Sequence, residues 1–464
     1  MKNEILKTQT DMKCHAEFIS ASQTPNQVRG DINIIFKFSI CVFSIWFFIL
    51  CFNRAYGQQE IWAKITAGAT RQRIRLAVPD FNSPEALHTL SKGLRQIMID
   101  DLEFSLYFEI VKLDSTKHIS ITEKKIDFTG WQTTGAQVLL VGDIQIKKKT
   151  VLNIHIYDLF TRKSIGIKTY EIKEEVRWLA HKIADDVIKL LTGEDGVSQT
   201  KIAFSLKKDK AKELSLVDYD GYNLEQLTNT GDLRLFPDWM PTANKIAYCS
   251  YAKNNINIYT YDVNRKNTDL ICSKDGLNTS PAFSPDGKTI AASLSFDGTP
   301  DIYLMNTEGK NLRRVTYGHS IDISPTWSPS GQELAFVSDR TGAPQIYIIS
   351  IDGTNTRRLS FEGSYNTSPA WSPRGDLIAY VSRDSDGINQ IYVTDITGDN
   401  RMRLTSLRNN EEPSWSPDGL HIAFSSNRTG TYELYVMHWN GAGQRRITNT
   451  NGAFSPTWSL RLVR

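Results

Sequence analysis

A tripeptide, Pro-x-(Trp/Phe), returns six times in the C-terminal part of this 464-residue chain, and its period decides most of what the chain can become. The aromatics are Trp239, Phe283, Trp327, Trp371, Trp415 and Trp458, spaced 44, 44, 44, 44 and 43 residues apart. Ser-Pro-x-Gly follows four of them, at 284–287, 328–331, 372–375 and 416–419. Proline at the second turn position fixes φ and glycine accepts a positive φ, so each tetrapeptide reverses the chain. An apolar run comes next, as in Leu334-Ala335-Phe336 and Ile422-Ala423-Phe424. Then come a turn such as Asp339-Arg340-Thr341-Gly342, a strand marked Ile346-Tyr347 or Leu434-Tyr435, and a last strand marked Arg358-Leu359-Ser360 or Arg446-Ile447-Thr448. Each period is four short antiparallel strands, the unit of a β-propeller blade, whose radial packing hides most sheet edges. The recurring indole is read as core between neighbouring blades, where burial contributes about 3 kcal/mol.

Only Ser459 to Arg464 follow the last aromatic, so the other three strands of that blade must come from elsewhere. Lys201 to Ser205, Glu213 to Leu216 and Gln226 to Thr228 match them. The expected fold is therefore a six-bladed, all-β propeller closed by its own N- and C-terminal strands, preceded by a different domain.

That preceding stretch reads as α/β. Ile74, Leu76 and Val78 alternate as in a strand, and Asn82-Ser83-Pro84-Glu85 opens a helix with Leu87, Leu90, Leu94 and Ile97 on one face. Strands are expected at 137–146, 150–158 and 164–172. A helix from Glu174 to Leu191 turns Val176, Leu179, Ala180, Ile183, Val187 and Leu190 inward and stops at Gly193. Further upstream, residues 38–52 form a charge-free apolar run too short to cross a bilayer, and Ala55 and Gly57 supply the small residues of a cleavage site before Gln58. The domains expected are thus an extension with a signal peptide over 1–57, an α/β domain over 58–192, a short hinge-like linker at 193–199 and the propeller over 200–464.

An exported chain could carry disulfides, but Cys249 and Cys272 fall on the second and fourth strands of one blade. At ~4.8 Å per strand they lie near ~10 Å apart, which predicts free, buried thiols. The 54 Lys+Arg against 51 Asp+Glu leave a formal charge of +3, too balanced for a nucleic-acid partner. No Gly-x-Ser-x-Gly elbow occurs, and Ser320 reads as a loop hydroxyl. The eight histidines are dispersed with no His-x-x-x-His or Cys-x-x-Cys. No metal and no cofactor is expected. Asp286, Asp339 and Asp418 read as caps of backbone N–H groups in turns, and Lys147-Lys148-Lys149 with Lys207-Lys208-Asp209-Lys210 as solvated hairpin tips.

The repeat, together with IRLAVPDF at 74–81, GAQVLLVG at 135–142 and HKIADDVIKLLTGEDGVSQTKIAF at 181–204, resembles the TolB family of the Tol-Pal system over about residues 60–464. The resemblance implies a non-enzymatic, monomeric adaptor of the periplasm, peripheral to the outer membrane, that supports outer-membrane integrity and constriction at cell division. It implies two partners, the peptidoglycan-associated lipoprotein Pal at the propeller mouth and TolA at the segment after the signal. For TolA the matching stretch contains Gln58, Gln59, Glu60, Ile61, Trp62 and Ile65. Residues just before each Pro-x-(Trp/Phe) begin the innermost strands and so ring one mouth of the channel, where loops on a rigid scaffold concentrate binding residues. They are Leu235, Phe236, Thr279, Ser280, Asp322, Ile323, Ser324, Asn366, Thr367, Ser368, Asn410, Glu411, Glu412, Phe454 and Ser455. The rival reading is a periplasmic propeller hydrolase or lyase that uses channel carboxylates.

Overall fold

The structure, a computed structural model, describes residues 73–113, 121–122, 125–173, 175–252, 255–383 and 385–462. The expected signal segment and the expected arm residues Gln58 to Ile65 lie outside the described residues. Six four-stranded antiparallel sheets follow one another around a ring. Their innermost strands are Arg234–Trp239, Asn278–Phe283, Asp322–Trp327, Asn366–Trp371, Asn410–Trp415 and Ala453–Trp458, and we number blades 1 to 6 in that order.

Blade 6 is the clasp. Its inner strand Ala453–Trp458 pairs antiparallel with Lys201–Lys208, so Trp458 lies opposite Ile202, and Ala211–Asp218 and Glu225–Gln226 complete the sheet. Ser459 then closes the ring twice, its N–H donating to Lys201 O at 2.8 Å and its Oγ accepting from Lys201 N at 2.9 Å.

The six repeat aromatics are buried between blades, and the residue just before each one decides how neighbours are latched. In blades 1, 3 and 5 it is polar, and its side chain accepts from the next aromatic's backbone N–H: Asp238 from Phe283 at 2.7 Å, Thr326 from Trp371 at 3.4 Å, Ser414 from Trp458 at 3.0 Å. Where it is alanine, its carbonyl takes the next indole N–H instead, as Ala282 does from Trp327 and Ala370 from Trp415, both at 3.0 Å. From blade 1 to blade 5 polar residue and alanine alternate, and with them two bonds that do the same work; Thr457 of blade 6 ends the alternation.

The Thr or Ser that ends each Arg-x-(Thr/Ser) motif is buried for a similar reason. Thr316 Oγ1 donates to Asp301, Ser360 to Gln345, Thr405 to Gln390 and Thr448 to Glu433, at 2.6–2.9 Å, while each hydroxyl accepts a third-strand N–H. Cys249 and Cys272 are free and buried, separated by the intervening strand at Ile258.

The α/β domain is a five-stranded sheet of β1 (Ile74–Ala77), β2 (Phe108–Ile110), β5 (Val138–Ile146), β6 (Thr150–Asp158) and β7 (Lys163–Glu171), in the order β2-β1-β5-β6-β7. A two-stranded ribbon, β3 (Ile121–Thr122) with β4 (Lys125–Ile126), stands apart from it. Helices α1 (His88–Phe104) and α3 (Val176–Thr192) cover one face, burying Leu94, Met98, Leu102, Ala180, Ile183 and Val187 against Leu140, Leu152 and Ile154. On the other face Trp131, from α2 (Phe128–Gln132), packs on Leu139 and Val141.

Leu190 corrects the expected inward face of the last helix: it is 50% exposed. It lies over Gly166 of β7, the edge strand, beyond which no further strand among the described residues covers it. The expected linker is also more than a hinge. Val197, Ser198 and Gln199 are buried, and Asp185 accepts from Ser198 N at 2.9 Å and Gln199 N at 3.1 Å. Gly196 is required there, because a Cβ would meet the Asp185 carboxylate.

The end of α1 meets the propeller. The Phe104 ring stacks on His421 at 4.0 Å, and His421 Nε2 lies 2.7 Å from Phe104 O. His421 opens the second strand of blade 5, immediately after the Ser416-Pro417-Asp418-Gly419 turn. The α/β domain therefore docks at the end of the propeller that carries the Ser-Pro-x-Gly turns. The mouth lies at the other end.

Candidate partner-binding mouth of the propeller

Each innermost strand carries one extra residue relative to its neighbour. In blade 1, Leu235 pairs with Cys249 but Asp238 pairs with Ala247, and the same slip recurs at Thr279/Ala282, Ile323/Thr326, Thr367/Ala370, Glu411/Ser414 and Phe454/Thr457. A β-bulge of this kind bends a strand and re-aims a side chain. At each bulge a residue other than glycine is left-handed: Phe236, Ser280, Ser324, Ser368, Glu412 and Ser455, with φ from 48° to 56°. For an L-residue that conformation costs about 1–2 kcal/mol. The structure repeats it six times, and each of the six residues lines the channel. All six line one open funnel of about 440 Å³, whose wall continues through the six prolines and their aromatics to Pro241, Pro285, Pro329, Pro373 and Pro417 at the opposite end.

Neighbouring blades hold these strained positions. Ser280 N donates to Cys249 Sγ at 3.2 Å and Ser324 N to Ser293 Oγ at 3.1 Å. Ser455 donates from N and from Oγ to Glu412, at 2.6 and 2.7 Å. Burial pushes the Cys249 thiol up to about 12, so it stays an S–H. Burial likewise raises the Glu412 carboxyl, against the pull of the two Ser455 bonds.

The fifteen residues expected at the mouth fall into three groups. Six are the bulge residues of the funnel wall. Leu235, Thr279, Ile323, Thr367, Glu411 and Phe454 stand one position earlier, paired with the second strand at the mouth's edge. The third group is a correction: Asp322, Asn366 and Asn410 are 0% exposed and do not face a partner. Asp322 is ion-paired with Arg340 at 3.0 Å, Asn366 Nδ2 donates to Gln345 at 2.7 Å and Asn410 Nδ2 to Gln390 at 3.0 Å. A strand's first residue alternates away from the channel and into the blade corner, where Asn366 and Asn410 bond the glutamines of the motif described above and Asp322 bonds Arg340.

The periodicity also misses two residues at the rim, Lys212 of the clasp and Tyr432 of blade 5. The Lys212 ammonium sits 3.6 Å over the Phe454 ring and feels Glu412 and Glu411, although burial lowers its pKa. Tyr432 packs against Phe454 at 5.1 Å and donates to Glu411 at 3.0 Å. Neither belongs to the innermost strands from which the mouth was read.

The funnel's carboxylates are structural. Asp238, pushed up to about 7 by burial, spends its acceptor on Phe283 N, and Glu412 is held by Ser455. Among the described residues, the one group of metal-ligating side chains close enough to hold an ion is Asp101, His181 and Asp220, which lies away from the mouth.

A sequence model of the TolB beta propeller domain matches residues 188–462, and one of the TolB amino-terminal domain matches residues 63–165. The chain belongs to the TolB family. The TolB of Acinetobacter baumannii, known from a crystal structure, superposes with a TM-score of 0.74 at 28% identity, covering 84% of this chain and 97% of that one. The Tol-Pal system protein TolB of Ruegeria sp. is 32% identical over 222 residues, 46% of this chain and 50% of that protein. The TolB of Syntrophotalea carbinolica is 36% identical over 199 residues, 42% of this chain and 44% of that protein. The chain spans about half the length of these curated TolB relatives. None of them bears an enzyme's name.

Proposed function

We propose that this chain is a non-enzymatic periplasmic adaptor of the Tol-Pal system whose propeller mouth receives Pal. The arm with Gln58, Gln59, Glu60, Ile61, Trp62 and Ile65 engages TolA. Through these two partners the protein supports outer-membrane integrity and envelope constriction at division. The observation that carries the reading is the ring of six left-handed bulges around an open funnel. Strained, over-determined backbone concentrates where a surface is shaped for a ligand. The mixture at that rim, with Phe236 and Phe454 beside Lys212, Glu411 and the serines, suits a protein surface better than a small substrate.

The test is capture of the cognate Pal by the purified mature protein. Ser324→Trp and Phe236→Asp place bulk or charge at wall positions that make no latch through their side chains. They are expected to weaken Pal binding at least tenfold in calorimetry while the melting temperature moves little. Wild-type affinity in both variants would remove Pal from the mouth. Deletion of the arm is expected to abolish TolA binding and leave Pal binding intact.

A further inference from the structure

The junction between the two domains holds a cluster of ionisable groups that the reading above does not use. His181 of α3 is 3% exposed, with Nδ1 2.7 Å from Asp101 Oδ2 of α1 and Nε2 3.5 Å from Asp220 Oδ2, in the turn after strand Ala211–Asp218. Asp101 also accepts from the hydroxyl of Tyr219, which is fully buried and packs edge-on against the His181 ring. Arg177 of α3 is ion-paired with Asp220, and its guanidinium lies 3.5 Å over the Tyr222 ring. The charged groups around the cluster are Asp101 on α1, Arg177 and Asp185 on α3, Asp220 in the turn, Arg445 of blade 5 across the Tyr219 ring, and Glu175 with the Lys201–Asp218 ion pair, which line the same cavity as His181. Asp185 faces Arg461 and the backbone of Ser198 and Gln199 rather than His181.

The geometry points to a proton-dependent latch: one proton on His181, shared between Asp101 of the α/β domain and Asp220 of the propeller, holds the domains together, and its loss loosens the junction. A charged imidazolium presents N–H to both carboxylates. A neutral ring keeps one N–H, which the 2.7 Å contact assigns to Asp101, and turns a lone pair toward Asp220. His181 Nε2 is otherwise buried without a hydrogen-bond partner, so nothing else compensates. Counting Arg177, the cluster is neutral with the proton and carries one uncompensated buried negative charge without it. A bound cation would serve less well, because the Arg177 guanidinium already sits on the Asp220 oxygen it would need.

The pH direction follows from the same contacts. Burial disfavours charge on His181, but the hydrogen bond to Asp101 and the charges of Asp101 and Asp220 outweigh it and raise its pKa. A raised folded-state pKa means that the stabilisation is complete below the ordinary value near 6.5 and is lost as pH rises through the folded value. Asp101 is itself raised by burial, so the pair titrates as a unit.

Hydrogen exchange followed by mass spectrometry on the full mature chain tests the latch, with intrinsic rates corrected between pH 6 and pH 8.5. In the wild type, protection at residues 98–104 and 216–221 is expected to fall at least tenfold across that range while the mouth strands stay unchanged. His181→Gln is expected to show the low protection at both pH values. Should that variant not fold, Asp220→Asn is expected to move the loss to lower pH. Junction protection that does not change with pH in the wild type, or a loss midpoint unmoved in Asp220→Asn, would overturn the proposal.

Discussion

The two ends of the propeller are built by opposite means. At the mouth, one structural position is sampled six times: a left-handed residue, a proline, a latch residue and an aromatic, all within four consecutive positions. At the junction, no position repeats. Asp101 meets His181 across 80 residues and Tyr219 across 118, and Phe104 meets His421 across 317. A repeat-built surface gains its shape from symmetry and tolerates variation at any one blade. A surface built once, from distant segments, depends on every member.

That contrast can be broken by substitution. The largest effect is expected on the shared inter-blade core. Trp371→Ala removes a nearly buried indole packed on Val337 and Tyr380 and should cost about 3–5 kcal/mol in urea unfolding. An equal loss at Trp415→Ala would show that the blades are energetically equivalent. Next comes Asp185→Ala, which strands the buried N–H groups of Ser198 and Gln199 and removes the ion pair of Arg461, leaving it only its bonds to Gln199 Oε1. It should cost about 3 kcal/mol by the same measurement, because each buried donor left unpaired costs ~1–3 kcal/mol. A loss below 1 kcal/mol would mean that the junction is less singular than its geometry states.

Asp238→Asn gives a smaller, pH-dependent effect. Burial holds this carboxyl up at about 7, so the stability it contributes is complete below 3.8 and lost as pH rises through 7. The amide keeps the acceptor for Phe283 N and removes the charge. The variant should be about 1–2 kcal/mol more stable than wild type at pH 8 and no more stable at pH 4, by thermal unfolding. Equal stability at pH 8 would place the Asp238 carboxylate in better solvent than the funnel wall provides. The smallest effect belongs to the latch itself. Thr326→Val deletes the acceptor for Trp371 N and should cost about 1 kcal/mol. A Ser in place of Thr326 is expected to restore the loss.

The same contrast explains what could be read in the residues. Blade count, strand order within each blade, the clasp and the separation of Cys249 from Cys272 all follow from a fixed period and a missing set of strands. Asp322, Asn366 and Asn410 were misplaced because the period locates a residue along a strand without saying which face it takes beyond a bulge. One inserted residue reverses the alternation. Leu190 was misplaced because helical periodicity marks a face and cannot say where the sheet beneath it stops. Phe104, Asp101 and His181 carried no signal at all. A carboxylate inside an amphipathic helix reads as solvated until another domain covers it.

Sequence alone determined the architecture, because turn chemistry and burial of a periodic aromatic are local demands that each 44-residue unit must satisfy in the same way. Tertiary structure alone decided which six residues face the axis, which residues of neighbouring strands join them at the rim, and which ionisable groups meet at the junction. Bulge geometry and domain docking set those juxtapositions, and both depend on contacts between segments that the order of residues does not bring together.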